Sequence, residues 1–145
     1  GPDYTPFGCG PEGAIDMGLS TGWGSTTGDD NGDPTNQFVP KHITIDMHQT
    51  VDIDHFGVDP TATCGDGGSA STGDYKIETS LDGDVWKDAA TGTFTAADRG
   101  ELNDVSPTAG TGTAVRYIRI PRTGRFSAIA VSSPPMIDRG TNNAV

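Results

Sequence analysis

Basic residues are scarce in this 145-residue chain, which has 9 lysines and arginines against 20 aspartates and glutamates. The resulting formal net charge of −11 repels the phosphates of nucleic acids and anionic lipid headgroups, so neither is expected as a partner. The same surface suits calcium, cationic partners or neutral partners such as glycans. Acidity that only keeps a secreted protein soluble explains the balance equally well.

Long apolar runs and catalytic combinations are also lacking. No run approaches the roughly 20 residues of a membrane span. The three histidines, His42, His48 and His55, are not spaced for a zinc site, and none lies near an obvious nucleophile. Catalysis needs an acid and a base in one pocket, and no such pair is visible, so the chain is predicted not to be an enzyme.

Glycine and proline, in contrast, are abundant, with 21 and 10 residues. Together with many Thr, Ser and Asp residues they indicate short strands joined by turns and long loops. A hydrophobic fraction of 32% is low for a helical bundle but suits a β-sandwich, in which alternate strand residues face water. The composition therefore predicts one all-β domain.

The stretch 75–86 predicts a β-hairpin. Tyr75, Ile77 and Thr79 alternate with polar residues, and Leu81-Asp82-Gly83-Asp84 supplies a turn in which Gly83 can adopt positive φ. Val85 and Trp86 resume an apolar run, with Trp86 expected to close one end of the core. Further strands are expected at 42–46, 51–53, 56–58, 91–94, 115–120 and 127–131. In the strand 115–120 the preferred choice points Val115 and Tyr117 inward. A turn is expected at His48-Gln49, and residues 128–131 are predicted to pair as the last strand. Ile15, Leu19 and Trp23 are expected to anchor the N-terminal turn in the core, with Asp16 and the Ser and Thr hydroxyls facing one another.

The two cysteines, Cys9 and Cys64, lie in Gly-rich, loop-like sequence. An even count in an acidic β domain favours a disulfide and a secreted, extracellular location. Closing a loop of about 55 residues would stabilise the fold by roughly 4 kcal/mol. A zinc site is not expected, because two thiols without a nearby His make a poor ligand set.

The predicted domain spans residues 3–132. Residues 133–145, with Pro134-Pro135 and a polar end, resemble a tail or linker. Gly1-Pro2 matches the remnant that protease cleavage of an expressed protein leaves, and it is excluded from the fold prediction.

Several segments together resemble the discoidin, or coagulation factor V/VIII type C, domain and the related family 32 carbohydrate-binding modules. The matching pieces are Ala14–Asp16, Leu19–Trp23, Ile43–Asp46, Gln49–Val51, Tyr75–Ser80, Asp82-Gly83 with Trp86, Gly92–Phe94 and Arg116–Ile120. Each piece is weak by itself, but the order and spacing agree over roughly residues 10–120. The resemblance implies an antiparallel jelly-roll sandwich of about eight strands, with long loops at one end and a galactose-binding-like architecture.

The resemblance also implies a structural Ca²⁺ at the turn Asp16–Thr21. Asp16 would supply a carboxylate, Gly18 a carbonyl, and Thr21 its hydroxyl and carbonyl, which are the hard oxygens that calcium requires. A glutamate from the last strand normally completes such a site, but Ser127–Val131 offers no carboxylate. A weakened or empty site, with Asp16 accepting backbone N–H bonds, is the alternative.

By the same resemblance, the loops before the Asp16 turn, after Trp23 and after Val58 form a binding rim. A Cys9–Cys64 bridge would either stiffen this rim for binding or have a purely structural role. Sugar sites combine an aromatic face with a few polar groups. The rim candidates for ligand binding are Tyr4, Phe7, Asp30, Asn36, Gln37, Phe38, Lys41 and Asp66. Phe38 as a core residue, and Tyr4 and Phe7 as covers of the barrel base, remain alternatives. The acidic turn 29–33 is interpreted as solvated rather than as a second calcium site.

The resemblance therefore predicts a non-catalytic carbohydrate-binding or attachment module of a secreted, bacterial-type multidomain protein. Its partner would be a glycan or polysaccharide, with a parent-enzyme catalytic domain in cis. The alternative is a protein-interaction or spacer domain appended to a secreted hydrolase such as a protease. A sugar site that is weak by itself would still tether the protein to a polysaccharide usefully, because linkage to other domains raises the effective concentration.

Overall fold

The computed structural model describes residues 5–24, 42–62, 65, 67–121 and 128–132, the last range as backbone only. The strands in these ranges are β1 (His42–Val51), β2 (His55–Asp59), β3 (Asp74–Ser80), β4 (Lys87–Thr93), β5 (Asn103–Val105), β6 (Val115–Pro121) and β7 (Ala128–Ser132). Short 3-10 turns occur at Thr5–Phe7, Pro11–Ala14, Gly68–Ala70 and Ala96–Asp98. Within these residues no helix is long and apolar enough to cross a membrane.

The strands form two antiparallel sheets. One has the order β1-β6-β3-β4, and the other has the order β5-β2-β7. All the pairings are antiparallel, and the non-consecutive neighbours in both sheets are those of a jelly roll rather than of a simple meander. The predicted all-β, antiparallel jelly-roll sandwich is thus confirmed.

The core lies between the inner faces of the two sheets. Ile43, Ile77, Ile118 and Ile120 come from the four-stranded sheet, and Phe56 and Val58 come from the facing sheet. Each of these side chains is less than 9% exposed. Burying one such side chain is worth about 1.5–3 kcal/mol, so this layer drives the association of the two sheets. Trp23 and Ala14 extend the core into the N-terminal segment, as predicted for Trp23.

The hairpin β3–β4 is confirmed, but the predicted position of Trp86 is wrong. Residues 81–86 connect the two strands, and β4 begins only at Lys87. Trp86 is half-buried beside the Arg119 guanidinium instead of closing the core, and Val85 is 68% exposed. The indole N–H donates to the carbonyl of Gly83 over 3.0 Å, which ties the ring to the turn rather than to the sandwich interior.

The prediction that Tyr117 of β6 faces the core is also wrong. Ile118 and Ile120 are 0% and 1% exposed in the core, whereas Tyr117 is only half-buried. Val115 is buried at 2%, as predicted. Val115 and Ile118 are both buried although they are three positions apart, and the β1–β6 register shifts beside them, between Asp46 and Val51.

Three further local features differ from the sequence predictions. Ile15 and Leu19, expected in the core, are 51% and 44% exposed, and the core residues of that segment are Ala14 and Trp23. His48, expected in a turn, lies inside β1 with φ of 59°, at the register shift. The short strand β5 was not predicted from its sequence.

The C-terminal strand β7 pairs with β2 along its whole length, from His55↔Ser132 to Asp59↔Ala128. Pairing of residues 128–131 was predicted, and it is confirmed. The 3-10 turn Pro11–Ala14 lies beside β7, so the N-terminal segment and the last strand meet. Residues 1–2 and 133–145 lie outside the described residues.

Antiparallel pairing places the connections at two distinct ends of the sandwich. The β2–β3 connection (60–73) and the β4–β5 connection (94–102) lie together at what we call the long-loop end. They are joined by a hydrogen bond from Phe94 N to Gly73 O of 3.0 Å. The connections 52–54, 81–86 and 106–114 lie at the opposite, short-turn end, where Ile53 N donates to Gly112 O over 2.7 Å.

Candidate functional site

The turn Asp16–Thr21 is closed around one carboxylate oxygen. Oδ1 of Asp16 accepts the Gly18 N–H and the Thr21 hydroxyl, both at 2.8 Å. The Thr21 Oγ1 also lies 3.1 Å from the Gly18 carbonyl oxygen. The Gly18 N–H, and then the Thr21 hydroxyl, lower the pKa of the Asp16 carboxyl. The predicted facing of Asp16 and a hydroxyl is therefore confirmed.

This donor set has the chemistry for calcium but supplies few ligands. The Asp16 carboxylate, the Gly18 carbonyl and the Thr21 hydroxyl are hard oxygens within hydrogen-bond distance of one another. Calcium takes 6–8 oxygens. The strand β7 brings no carboxylate, and the described residues hold no group of three or more His, Cys, Asp and Glu side chains arranged for a metal. These three residues could hold one part of a calcium shell, with the remaining oxygens coming from elsewhere.

Two other predicted site residues lie in the described N-terminal segment. Cys9 is buried at 4%, and its carbonyl accepts the N–H of Gly24 at 3.2 Å. Phe7 is 77% exposed, so it does not cover the base of the barrel. The predicted partner Cys64 and the other rim candidates lie outside the described residues: Tyr4, Asp30, Asn36, Gln37, Phe38, Lys41 and Asp66. Their roles, and the disulfide, stay predictions.

The long-loop end also contains residues that the sequence analysis did not single out. Arg99 is exposed on the connection 94–102, and a Cβ added at Gly68 would collide with its guanidinium, so the two loops are in contact there. The turn Ala96–Asp98 is closed by a capping box in which the Asp98 carboxylate accepts the N–H of Thr95 at 2.6 Å. The only signal in the sequence was the spacing Thr-x-x-Asp, which is typical of such caps.

An ion-pair network covers the outer face of the four-stranded sheet. Glu78 is 7% exposed and accepts the Arg119 Nε–H at 2.6 Å, and Lys76 Nζ lies 3.0 Å from its other oxygen. Burial raises the pKa of Glu78, but Arg119 and Lys76 outweigh that effect and the net pKa is lowered. The Arg119 guanidinium lies 4.1 Å from the centre of the Trp86 ring. The Arg119 guanidinium lies over the Trp86 ring, and the charges of the network are paired with one another. These residues therefore support the sheet rather than form an open platform for a sugar.

A half-open cavity of about 250 Å³ lies at the short-turn end. Its walls include Thr79, Leu81, Asp82, Lys87 and Val115. None of its described lining residues is aromatic, although sugar-binding sites depend on an aromatic face. This cavity lies at the end opposite to the predicted rim.

The described histidine contacts lie on exposed surface. Nδ1 of His48, a side chain that is 87% exposed, lies 3.5 Å from the Asp46 carboxylate. Nδ1 of His55 lies 3.5 Å from the exposed Ser106 hydroxyl. Both separations exceed the roughly 2.6–3.2 Å of a hydrogen bond between a base and a nucleophile.

The comparisons with known families agree with this architecture. The sequence model of the F5/8 type C domain matches residues 3–131. The chain belongs to the F5/8 type C domain family. No protein of curated function matches it in sequence.

Several solved structures share the fold of this F5/8 type C domain. The C-terminal domain of a Bacteroides fragilis chitobiase is 22% identical with a TM-score of 0.64, over 86% of this chain and 80% of that one. A CBM32 module from Clostridium perfringens, in complex with GalNAc-β-1,3-galactose, is 16% identical with a TM-score of 0.66, over 88% and 86%. The CBM32 of AlyQ, in complex with 4,5-unsaturated mannuronic acid, is 22% identical with a TM-score of 0.59, over 84% of each chain.

Proposed function

We propose that this F5/8 type C domain is a non-catalytic module that binds glycans through its long-loop end. The observation that carries the proposal is the family match over residues 3–131, together with a fold shared with CBM32 modules that were solved with sugars bound. The geometry supports it, because the two described connections at this end are hydrogen-bonded to each other and present exposed polar groups. A preformed surface of this kind loses little entropy on contact with a ligand.

We further propose that the module belongs to a secreted, bacterial-type multidomain protein. Several of the structural relatives come from bacterial glycoside hydrolases, including a family 31 enzyme of Clostridium perfringens. Attachment of a weak sugar site to a catalytic domain raises the effective concentration of enzyme on its substrate. The acidic surface, with a net charge of −11, favours a neutral glycan over an anionic one.

A glycan array probed with the purified domain, with and without calcium, tests this function. We expect binding to a small set of neutral glycans or polysaccharide ends. The variant Phe7→Ala removes the exposed aromatic ring of the N-terminal segment and should weaken that binding. Val85→Ala removes a similarly exposed apolar side chain at the short-turn end and should leave it unchanged. Silence of the wild-type domain across all glycans would favour the alternative, a protein-interaction or spacer domain.

For the turn Asp16–Thr21 we propose a structural calcium ion. Asp16, Gly18 and Thr21 would hold it, and the ion would fix the conformation of the N-terminal segment without taking part in chemistry. Calorimetric titration of chelator-treated protein with CaCl₂ should give saturable heat and a rise in the unfolding temperature. Asp16→Asn should abolish both effects, whereas Asp84→Asn, an exposed turn aspartate, should preserve them. An unfolding temperature of wild type that is the same in calcium and in chelator would contradict the proposal.

A further inference from the structure

Asp59, the last residue of β2, is a fully buried carboxylate at the base of the long-loop end. Its Oδ1 accepts three hydrogen bonds, from the Thr61 N–H at 3.0 Å, the Thr61 hydroxyl at 2.5 Å and the Gly100 N–H at 3.1 Å. Its Oδ2 is buried and has no hydrogen-bond partner among the residues that the structure describes. The hydrogen bonds that these residues make with the side chain therefore converge on one oxygen.

These hydrogen bonds join the two connections of the long-loop end. Thr61 belongs to the connection 60–73, and Gly100 belongs to the connection 94–102, 41 residues from Asp59 in sequence. The Gly100 N–H also lies 2.7 Å from the Thr61 hydroxyl oxygen, so one amide is held by both side chains. A buried acceptor oxygen with three donors holds them firmly, because water does not compete for its hydrogen bonds there.

The residue next to the held amide is Arg99. Its guanidinium lies against Gly68 of the other connection. Gly100 directly follows Arg99 and has φ of 80°, so holding Gly100 also fixes the backbone from which the Arg99 side chain extends. Besides Asp59, the other charged side chains in or next to the described parts of these two connections, Asp74, Asp98 and Glu101, are acidic. Among the described residues there, Arg99 is thus the cation, and its planar fork of N–H donors can bridge two neighbouring hydroxyl oxygens of a sugar.

We propose that Asp59 is a positioning residue for glycan binding, which locks the connection 94–102 onto the connection 60–73 and so presents the Arg99 guanidinium to sugar hydroxyls. This inference rests on the proposed function. Holding the loop in place before contact removes an ordering cost that a free loop would incur on binding.

The variants Asp59→Ala, Asp59→Asn and Thr61→Val test the proposal. Alanine removes the carboxylate oxygen that accepts from both Thr61 and Gly100, and valine removes the hydroxyl that shares the Gly100 amide. An asparagine Oδ1 can accept the same three donors, so asparagine should rescue the alanine defect in binding. Its buried amide N–H groups cost stability but do not release Gly100. With the glycan found on the array, we expect affinity to fall about tenfold in D59A and T61V and to recover in D59N.

Binding is measured by calorimetry at a temperature where circular dichroism shows every variant folded, so that a loss of stability alone leaves the affinity unchanged. Amide hydrogen exchange at Gly100, followed by NMR, should accelerate in D59A and T61V. Arg99→Ala should weaken binding but leave Gly100 protected. Asp104→Asn, at an exposed position in β5, is the matched control and should change neither quantity.

Wild-type affinity in D59A, or a D59N variant as weak as D59A, would overturn the positioning role. Unchanged Gly100 exchange in D59A would overturn the lock itself. If D59A does not fold, T61V carries the same comparison. If the wild-type domain binds no glycan, the proposed function and the role of Arg99 both fail, while Gly100 exchange still decides whether Asp59 joins the two loops.

Discussion

At the scale of single residues, the described charged side chains with the clearest roles are held by specific partners rather than left in solvent. Arg116 donates from Nε and from a terminal nitrogen to the two oxygens of Asp46, at 3.0 and 3.1 Å. The His48 N–H donates to the same carboxylate at 2.8 Å. These hydrogen bonds, Arg116 first, lower the pKa of Asp46 to about 2. A bidentate pair of this kind joins β1 to β6 across the register shift.

The Asp46–Arg116 pair predicts a loss of stability in acid. The folded-state pKa of about 2 lies below the ordinary value of about 3.9. The pair therefore stabilises the fold fully above about pH 4, and the contribution is lost as pH falls through 2. In urea unfolding, wild type should be more stable than Asp46→Asn at pH 6, and the difference should vanish near pH 2. A difference that stays constant from pH 6 to pH 2 would contradict this.

At the scale of elements, the β3–β4 turn shows how a short sequence closes a hairpin. Oδ1 of Asp82 accepts the N–H groups of Asp84 and Val85, both at 2.9 Å, and Ser80 Oγ accepts the Gly83 N–H at 2.9 Å. These hydrogen bonds hold Gly83 at φ of 83°, a conformation that only glycine adopts without strain. The turn residues were predicted from sequence because their chemistry is local.

Gly83→Ala should lower the free energy of unfolding by about 1–2 kcal/mol. The cost is backbone strain, because the added Cβ would meet the Tyr117 ring at an ordinary contact distance of 3.6 Å. Gly73→Ala is the matched control, since Gly73 does not have positive φ and a Cβ there meets nothing within 4 Å. That variant should be neutral or slightly stabilising in the same chemical denaturation experiment. Equal effects of the two substitutions would contradict the assignment of strain to Gly83.

At the scale of the whole molecule, different interactions hold the sheets and the connections in place. Its two sheets bury a continuous apolar layer, while polar and charged side chains hold the connections at each end. At the short-turn end Asp52 accepts the Ala114 N–H at 2.9 Å, and at the long-loop end Asp59 plays the corresponding part. Loops on a rigid scaffold are the usual carriers of binding function, because they vary without disturbing the core.

The predicted Cys9–Cys64 disulfide would act at this scale by tying the N-terminal segment to the connection 60–73. Reduction should lower the unfolding temperature by roughly 10 °C, given a loop of about 55 residues and a stabilisation near 4 kcal/mol. The double variant with Cys9→Ser and Cys64→Ser should unfold at that lower temperature with or without reductant. Titration of two free thiols in the native, unreduced protein would contradict the prediction.

The sequence by itself determined the class of fold and most of the strands. Two of the signals were local: the alternation in Asp74–Ser80 and the turn residues Asp82-Gly83. The third was the order along the chain of short segments that each resemble the family weakly. All three can be recognised from the sequence. The face of Tyr117 could not be predicted, because either set of alternating side chains in β6 can face the core until the strand is paired with its neighbours. Trp86 was misplaced for another reason: its partner Arg119 is 33 positions away, and no pattern near the indole points to it.

The arrangement of the candidate site was decided only by the tertiary structure. Asp59 is an ordinary strand-end aspartate in the sequence, and Arg99 an ordinary loop arginine. The pairing of β2 with β5, and of β3 with β4, brings their connections to one end, where Asp59 meets the Gly100 amide. Sheet pairing brings together residues that are far apart in the chain. A local sequence pattern therefore cannot predict which distant amide a buried carboxylate will bind.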